Sequence, residues 1–342
     1  MKRFPRPITA GRALLSSGSC RRLTCGLAAA LAVAAVTVPV VARAQGTDWP
    51  NRTVTVITPF AAGGNTDVMA RLMSQRLADT FKQGFVVENR LGAGGGIAAS
   101  YVVQQPADGY TLFFAASPLI AVLPQVQKVG YDPIKDFAPV SIFGTGPFIL
   151  AISSAIPANT VQELVAYAKH RRLNYGSGGT GTVTHLSGAL FVARADIEAV
   201  HVPFRGGAPA MAALLGGQVD MYFGNAADII PHVKSDKVRI LAVAAEKRLK
   251  QLPDVPTVSE TYAGFSLNSW NGFLVRAGTP RPIIDKIAKE VIAATKDPDI
   301  VAQLTRLGIE PNGTTPEEMA AQIAREQPQF DAAIKAAGLA QQ

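Results

Sequence analysis

The stretch VTVITPFAAGGNTDVMAR, residues 54–71, joins a short β-branched run to a helix-forming segment through Pro-Phe, two alanines and two glycines. VTVIT has the composition of a strand. Met69, Leu72, Met73 and Leu77 fall on one face of a helix predicted over about 66–81. Asn65, Thr66 and Asp67 are residue types that cap helices. Glycine ahead of them lets the backbone come close to a ligand. Strand, Gly-rich turn and helix N-terminus together make an anion site, because first-turn N–H groups have no partner inside the helix.

The same alternation continues outward. FVVEN leads through GAGGG into a helical segment ending near Gln104, and TLFFAA follows the turn DGY. A second series holds a helix near 160–170, LNYGSGG, a helix from about His185, VHVPF, a helix near 208–215, DMYFGN and RILAVAA. LNSWNGFLV reads as one more strand, and helices are predicted near 281–296, 299–307 and 316–337. Strands alternating with helices predict an α/β fold with mainly parallel sheets. PVSIFGTGPFILAIS (139–153) breaks the rhythm with two apolar runs on either side of Gly-Thr-Gly-Pro. ITPF-AAGG at 57–64 and HVPF-RGG at 201–207 each end a strand in Pro-Phe and open through glycines onto a helix. Ligands in open α/β sheets sit beyond the carboxyl ends of strands. Two such domains with these ends facing each other enclose a cleft lined by helix N-termini from both sides.

The N-terminal 44 residues have the layout of a secretory signal peptide. Six basic residues precede an uncharged run from Leu23 to Ala42, and Ala42 and Ala44 have the spacing of a cleavage site. The run is also long enough for an uncleaved anchor, and Arg21-Arg22 is compatible with twin-arginine export. Seven of the 33 Lys+Arg and none of the 25 Asp+Glu lie in residues 1–44, so the remainder carries 26 against 25 and a net charge of +1. The high pI therefore belongs to the leader, and a nucleic-acid partner loses its support. Cys20 and Cys25 fall in the same leader, leaving the mature chain without disulfide, Cys-ligated metal or Cys nucleophile.

Enzyme signatures are missing. There is no Gly-x-Ser-x-Gly elbow and no His-Glu-x-x-His, and His170, His185, His201 and His232 have no metal spacing. LGAGGG lacks the full dinucleotide register, so no nicotinamide cofactor is expected. NYGSGGTGTVTHLSG (174–188) is more informative. Its glycines and the hydroxyls of Ser177, Thr180, Thr182 and Thr184 read either as a surface loop or as a nest of donors for carboxylate.

Taken in order, PFAAGGNTDVMAR, VVENRLGAGGGIA, ADGYTL, YDPIKDFAPVS, LNYGSGGTGTVTHLSG, VHVPFRGGAPAM, LLGGQVDMYFGN, LPDVPTVSE and RAGTP resemble the Bug family. Its members are the extracytoplasmic solute receptors of tripartite tricarboxylate transporters. The resemblance spans the mature chain and implies a two-domain periplasmic binding protein of type II-like architecture, each domain a mainly parallel sheet flanked by helices. The expected division is a signal peptide at 1–44, a first domain from 45–147 with 247–342, and a second from 148–246, crossed at SIFGTGPF (141–148) and after RILAVAA. The family implies a monomeric receptor, not an enzyme, with no cofactor or metal. It takes a small carboxylate and delivers it to one large and one small integral membrane subunit. An exported α/β hydrolase or isomerase, or a receptor feeding a sensor, is the alternative. The residues matching the family's ligand-surrounding segments are Phe60, Gly63, Gly64, Asn65, Thr66, Asp67, Ser117, Gly181, Thr182, Thr184, His185, Arg205, Gly206, Gly207 and Asn225. Three positions depart from the common pattern: Asn65 replaces a frequent glycine, Gly224 a frequent Asp, and Asn271 a common aromatic.

Overall fold

A computed structural model describes residues 48–340. The expected signal peptide, with its cleavage site and both cysteines, lies outside the described residues. VTVIT forms β1 (Val54–Thr58), and the helix after it, α1, runs Asn65–Phe81. Then come β2 (Phe85–Asn89), α2 (Gly96–Val102), β3 (Thr111–Ala116), the short α3 (Pro118–Ala121) and α4 (Leu123–Val126), and β4 (Phe137–Ser153). The second series is α5 (Val161–Ala168), β5 (Leu173–Ser177), α6 (Val183–Ala195), β6 (Ala199–Pro203), α7 (Gly207–Leu215), β7 (Met221–Asn225), α8 (Ala226–Ile229) and β8 (Val238–Ala244). The chain closes with β9 (Asn268–Arg276), α9 (Arg281–Ala294), α10 (Pro298–Arg306), β10 (Glu310–Pro311) and α11 (Pro316–Ala336).

The α/β expectation holds, with one hydrogen-bonded path in the order β2-β1-β3-β9-β4-β7-β5-β6. β1 pairs in parallel with β2 and β3, and β5 in parallel with β6 and β7. The antiparallel pairs all involve β4 or β9. Helix α1 anchors one layer by burying Met69, Met73 and Leu77 completely, each such side chain contributing roughly 1.5–3 kcal/mol.

Two sequence readings change. The runs on either side of Gly-Thr-Gly-Pro are one continuous strand, β4. Its Phe137–Pro147 part pairs with β9, and its Phe148–Ser153 part pairs with β7 and β8. The sheet thus has two wings that share β4. Before the switch, glycine lets β4 pack closely on the first wing, because a Cβ on Gly144 would stand 2.7 Å from Ile309 Cγ2 and 2.9 Å from Met69 Cε. The Pro-Phe-Gly echo also has a different meaning. By topology β1 corresponds to β5, the middle strand of its parallel trio, whereas HVPF ends β6, the outer one. The echo therefore joins strands that hold different places in their parallel trios.

The C-terminal helix belongs to both wings. Met319 and Ile323 pack with Ile57, Phe113 and Trp270 of the first wing. Phe330, Ala333 and Ile334 pack with Leu186, Phe191 and Phe223 of the second, where Val258 and Phe265 also lie. Pro328 sits between those two groups inside α11. It removes one helical donor and favours a bend there. Among the described residues, no helix is long and apolar enough to cross a membrane.

Candidate functional site

Where the wings meet lies a cavity lined by residues of both. Three helices aim their N-termini at it. From the first wing α1 contributes Gly64, Asn65 and Thr66. From the second, α6 contributes Thr182, Val183 and Thr184, and α7 contributes Gly206 and Gly207. Phe60 and Phe148 supply apolar wall, and Asn225, Ser269 and Asn271 add amide and hydroxyl groups. The two wings are already in contact. Ala61 N–H donates to Arg205 O at 3.0 Å across the boundary, and a Cβ on Gly94 would stand 2.1 Å from Thr180 O.

Nine of the fifteen residues singled out from sequence line this cavity: Phe60, Gly64, Asn65, Thr66, Thr182, Thr184, Gly206, Gly207 and Asn225. The other six lie behind it. Gly63 adopts φ +83° and donates its N–H to Asp67 Oδ2 at 3.0 Å. The Asp67 carboxylate turns back along its own helix, accepting also from Arg71 Nε (2.9 Å) and Asn89 Nδ2 (2.8 Å). Ser117 is buried against Ser269, their hydroxyl oxygens 3.0 Å apart. Gly181 donates to His185 Nδ1 at 3.2 Å. His185 stacks on His201 with centroids 3.8 Å apart. The Arg205 side chain is exposed, and only its backbone takes part in the wing contact.

The caps differ from the sequence reading. Asn65 is the first helical residue of α1 and Gly64 its N-cap, which makes no side-chain cap bond. The acceptor comes from the other wing, where Asp228 Oδ1 receives the Asn65 N–H at 3.0 Å. Helix α6 starts at Val183 and is capped by Thr182, whose Oγ1 accepts from His185 N–H. Thr182 also donates to Gly179 O at 2.7 Å, so the 2.8 Å contact with Thr184 Oγ1 uses the Thr184 proton. Thr184 Oγ1 accepts in turn from Gly178 N–H. Both hydroxyl protons are therefore committed to holding the loop.

Asp228, in the first turn of α8, was not singled out from sequence. It is 7% exposed and is the only ionisable residue among those lining the cavity. Burial raises its pKa above the usual carboxylate value, against bonds from Asn225, the Asn65 N–H and Tyr222 and the nearby His232. Burial also holds two histidines neutral behind the site. His185 is lowered to about 3, with His201 adding to the effect, and His201 is lowered to about 4. Among the described residues no cluster of three or more His, Cys, Asp or Glu is arranged to hold a metal.

The family described as "Tripartite tricarboxylate transporter family receptor" matches residues 69–339. Protein BugT of Bordetella pertussis is 30% identical over 317 residues, covering 91% of this chain and 97% of that protein. The structure of R. palustris Rpa4515 with adipate is 35% identical, with a TM-score of 0.83 over 85% of this chain and 99% of the other. That of MatC (Rpa3494) from Rhodopseudomonas palustris with bound malate is 33% identical, with a TM-score of 0.79 over 83% and 99%.

Proposed function

This chain belongs to the tripartite tricarboxylate transporter receptor family, and we propose that it is a periplasmic receptor that binds a small carboxylate between its two wings. The observation that carries the reading is the convergence of three helix N-termini, from α1, α6 and α7, on one cavity that no Lys or Arg side chain lines. First-turn N–H groups and the positive helix ends bind an anion there. No basic side chain has to be desolvated beside the anion. The neighbours holding adipate and malate support the ligand class. Phe60, Gly64, Asn65, Thr66, Thr182, Thr184, Gly206, Gly207 and Asn225 form the contact surface in this reading. Gly63, Asp67, Ser117, Gly181, His185 and Arg205 hold it in shape.

The wings are the moving parts of the proposed receptor. The chain crosses between them in β4 near Gly146 and again between β8 and β9, and α11 packs on both with Pro328 between its two contact groups. Rotation at such points opens the cleft while each wing stays rigid. The closed receptor then presents its ligand to the large and small membrane subunits implied by the family. A thermal-shift screen of purified protein against small carboxylic acids tests the proposal. Ligand in hundredfold excess over Kd adds about 2.7 kcal/mol, so one or a few acids raise Tm by several degrees. Chemical conversion of a hit by stoichiometric protein refutes the receptor reading in favour of an enzyme.

A further inference from the structure

Resting on the receptor reading above, we infer that Asp228 and Asn65 select an amine-bearing carboxylate, an amino acid, with Asp228 as the counter-charge of its ammonium group. Two separate observations carry this. The first is a buried carboxylate whose hydrogen-bond partners are all neutral, with His232 nearby but not bonded to it. Asp228 Oδ1 accepts from Asn65 N–H at 3.0 Å, and Oδ2 accepts from Asn225 Nδ2 at 3.0 Å and from Tyr222 O–H at 3.5 Å. None of these donors carries a charge, and none of the cavity-lining residues is Lys or Arg. The second is an acceptor with no donor. Asn65 lines the same cavity at 7% exposure, and its Oδ1 is buried without a hydrogen-bond partner.

An ammonium group brings three N–H donors and no acceptor, which matches a wall offering a carboxylate and an amide oxygen. The raised pKa of Asp228 fits the same arrangement, since a cation beside a buried carboxylate reverses the penalty of burial. Adipate and malate, held by two neighbours, carry no amine. A second carboxylate placed against Asp228 meets a like charge unless one of the pair takes a proton. The ligand's own carboxylate goes instead to the first-turn N–H groups of α6 and α7. Asp67, the acid nearest the glycine turn, is excluded from this role because its carboxylate is engaged by Gly63, Arg71 and Asn89.

Matched pairs of acids test the inference by titration calorimetry at pH 7.5: alanine with propionate, aspartate with succinate, glutamate with glutarate, and phenylalanine with 3-phenylpropionate. The amine-bearing member of at least one pair binds at least tenfold tighter than its partner. Asp228→Asn, which keeps an oxygen for the Asn65 N–H, abolishes that preference. Asn65→Ala weakens the same amine-bearing ligand severalfold while leaving the backbone donor in place, and it serves alone where Asp228→Asn does not fold. Equal or tighter binding of the amine-free acids overturns the inference and leaves the receptor reading standing. So does binding of an amine-free acid with uptake of one proton, measured in buffers of different ionisation enthalpy. Failure of every acid of both classes overturns the inference and the receptor reading together.

Discussion

Replacing Asp67 with Asn is the sharpest probe of how the glycine turn is held. The wild-type carboxylate, its side chain 3% exposed, receives three donors: Gly63 N–H, Arg71 Nε and Asn89 Nδ2. Burial pushes its pKa up, but the bonds from Arg71, Gly63 and Asn89 outweigh it and leave the group below its ordinary value. An asparagine offers one oxygen and turns an NH₂ toward at least one of those donors. Asn89 does not flip to compensate, because its Nδ2 also donates to Phe60 O and its Oδ1 accepts from Arg71 Nη2. Each bond to a charged acceptor is worth about 1.5–3 kcal/mol. The Arg71 side chain is half exposed, so its ion pair adds only about 0.2–1 kcal/mol. The loss is then on the order of 2–4 kcal/mol, or roughly 3–6 °C in Tm for a chain of this size. Because the folded pKa is depressed, the advantage of Asp67 is full above the unfolded value of 3.8 and is lost as pH falls below it. Urea denaturation of both proteins at pH 7 and pH 3 measures this, while affinity for the best-binding acid stays within a few fold. Equal stability at pH 7, or collapse of affinity with stability intact, refutes the reasoning and returns Asp67 to the ligand.

Acid sensitivity follows from the stacked histidines, neutral in the fold at about 3 and about 4 but titrating near 6.5 when unfolded. Between pH 6.5 and 4 the unfolded chain binds protons that the folded chain refuses, so stability falls with pH by up to about 1.4 kcal/mol per unit per histidine. A flat urea midpoint over that range contradicts the buried neutral pair. Thr182→Val removes the cap of α6 and the bond to Gly179 O, so it lowers stability by about 1–2 kcal/mol together with affinity. Loss of affinity alone shows that the hydroxyl serves the ligand instead of the loop. Small-angle scattering of ligand-free protein, compared with protein saturated by a verified ligand, gives a smaller radius of gyration when bound. An unchanged radius removes wing rotation from the account.

The alternation of strands and helices and the three Gly-rich helix starts were legible in sequence, because each is a local signal of composition and period. What escaped depends on contacts between distant residues. The Asn65 N–H finds Asp228 across 163 positions, and nothing in NAADII marks that Asp as buried. Its position directly after the end of β7, where ligands of α/β sheets collect, was the available clue. Gly-Thr-Gly-Pro reads as a break because glycine and proline weaken isolated strands. In the fold, β9 and β10 pair along it and hold it extended. Arg205 invites an anion-binding role by its charge, yet its exposed side chain adds no charge to the cavity wall. The hydroxyls of Thr182 and Thr184 look available in sequence and are occupied within their own loop.

Mass spectrometry of freshly purified protein, first native and then after denaturation, tests the central claim most directly. The account predicts one small carboxylic acid per chain that is released unchanged on unfolding and is lost from a Gly207→Leu variant. A Cβ at Gly207 already meets Asp228 Oδ2 at 2.1 Å, so a leucine there displaces that wall of the cleft. A ligand of another chemical class, or the same acid retained at full occupancy by the folded Gly207→Leu protein, contradicts the assignment of the cavity as a carboxylate site.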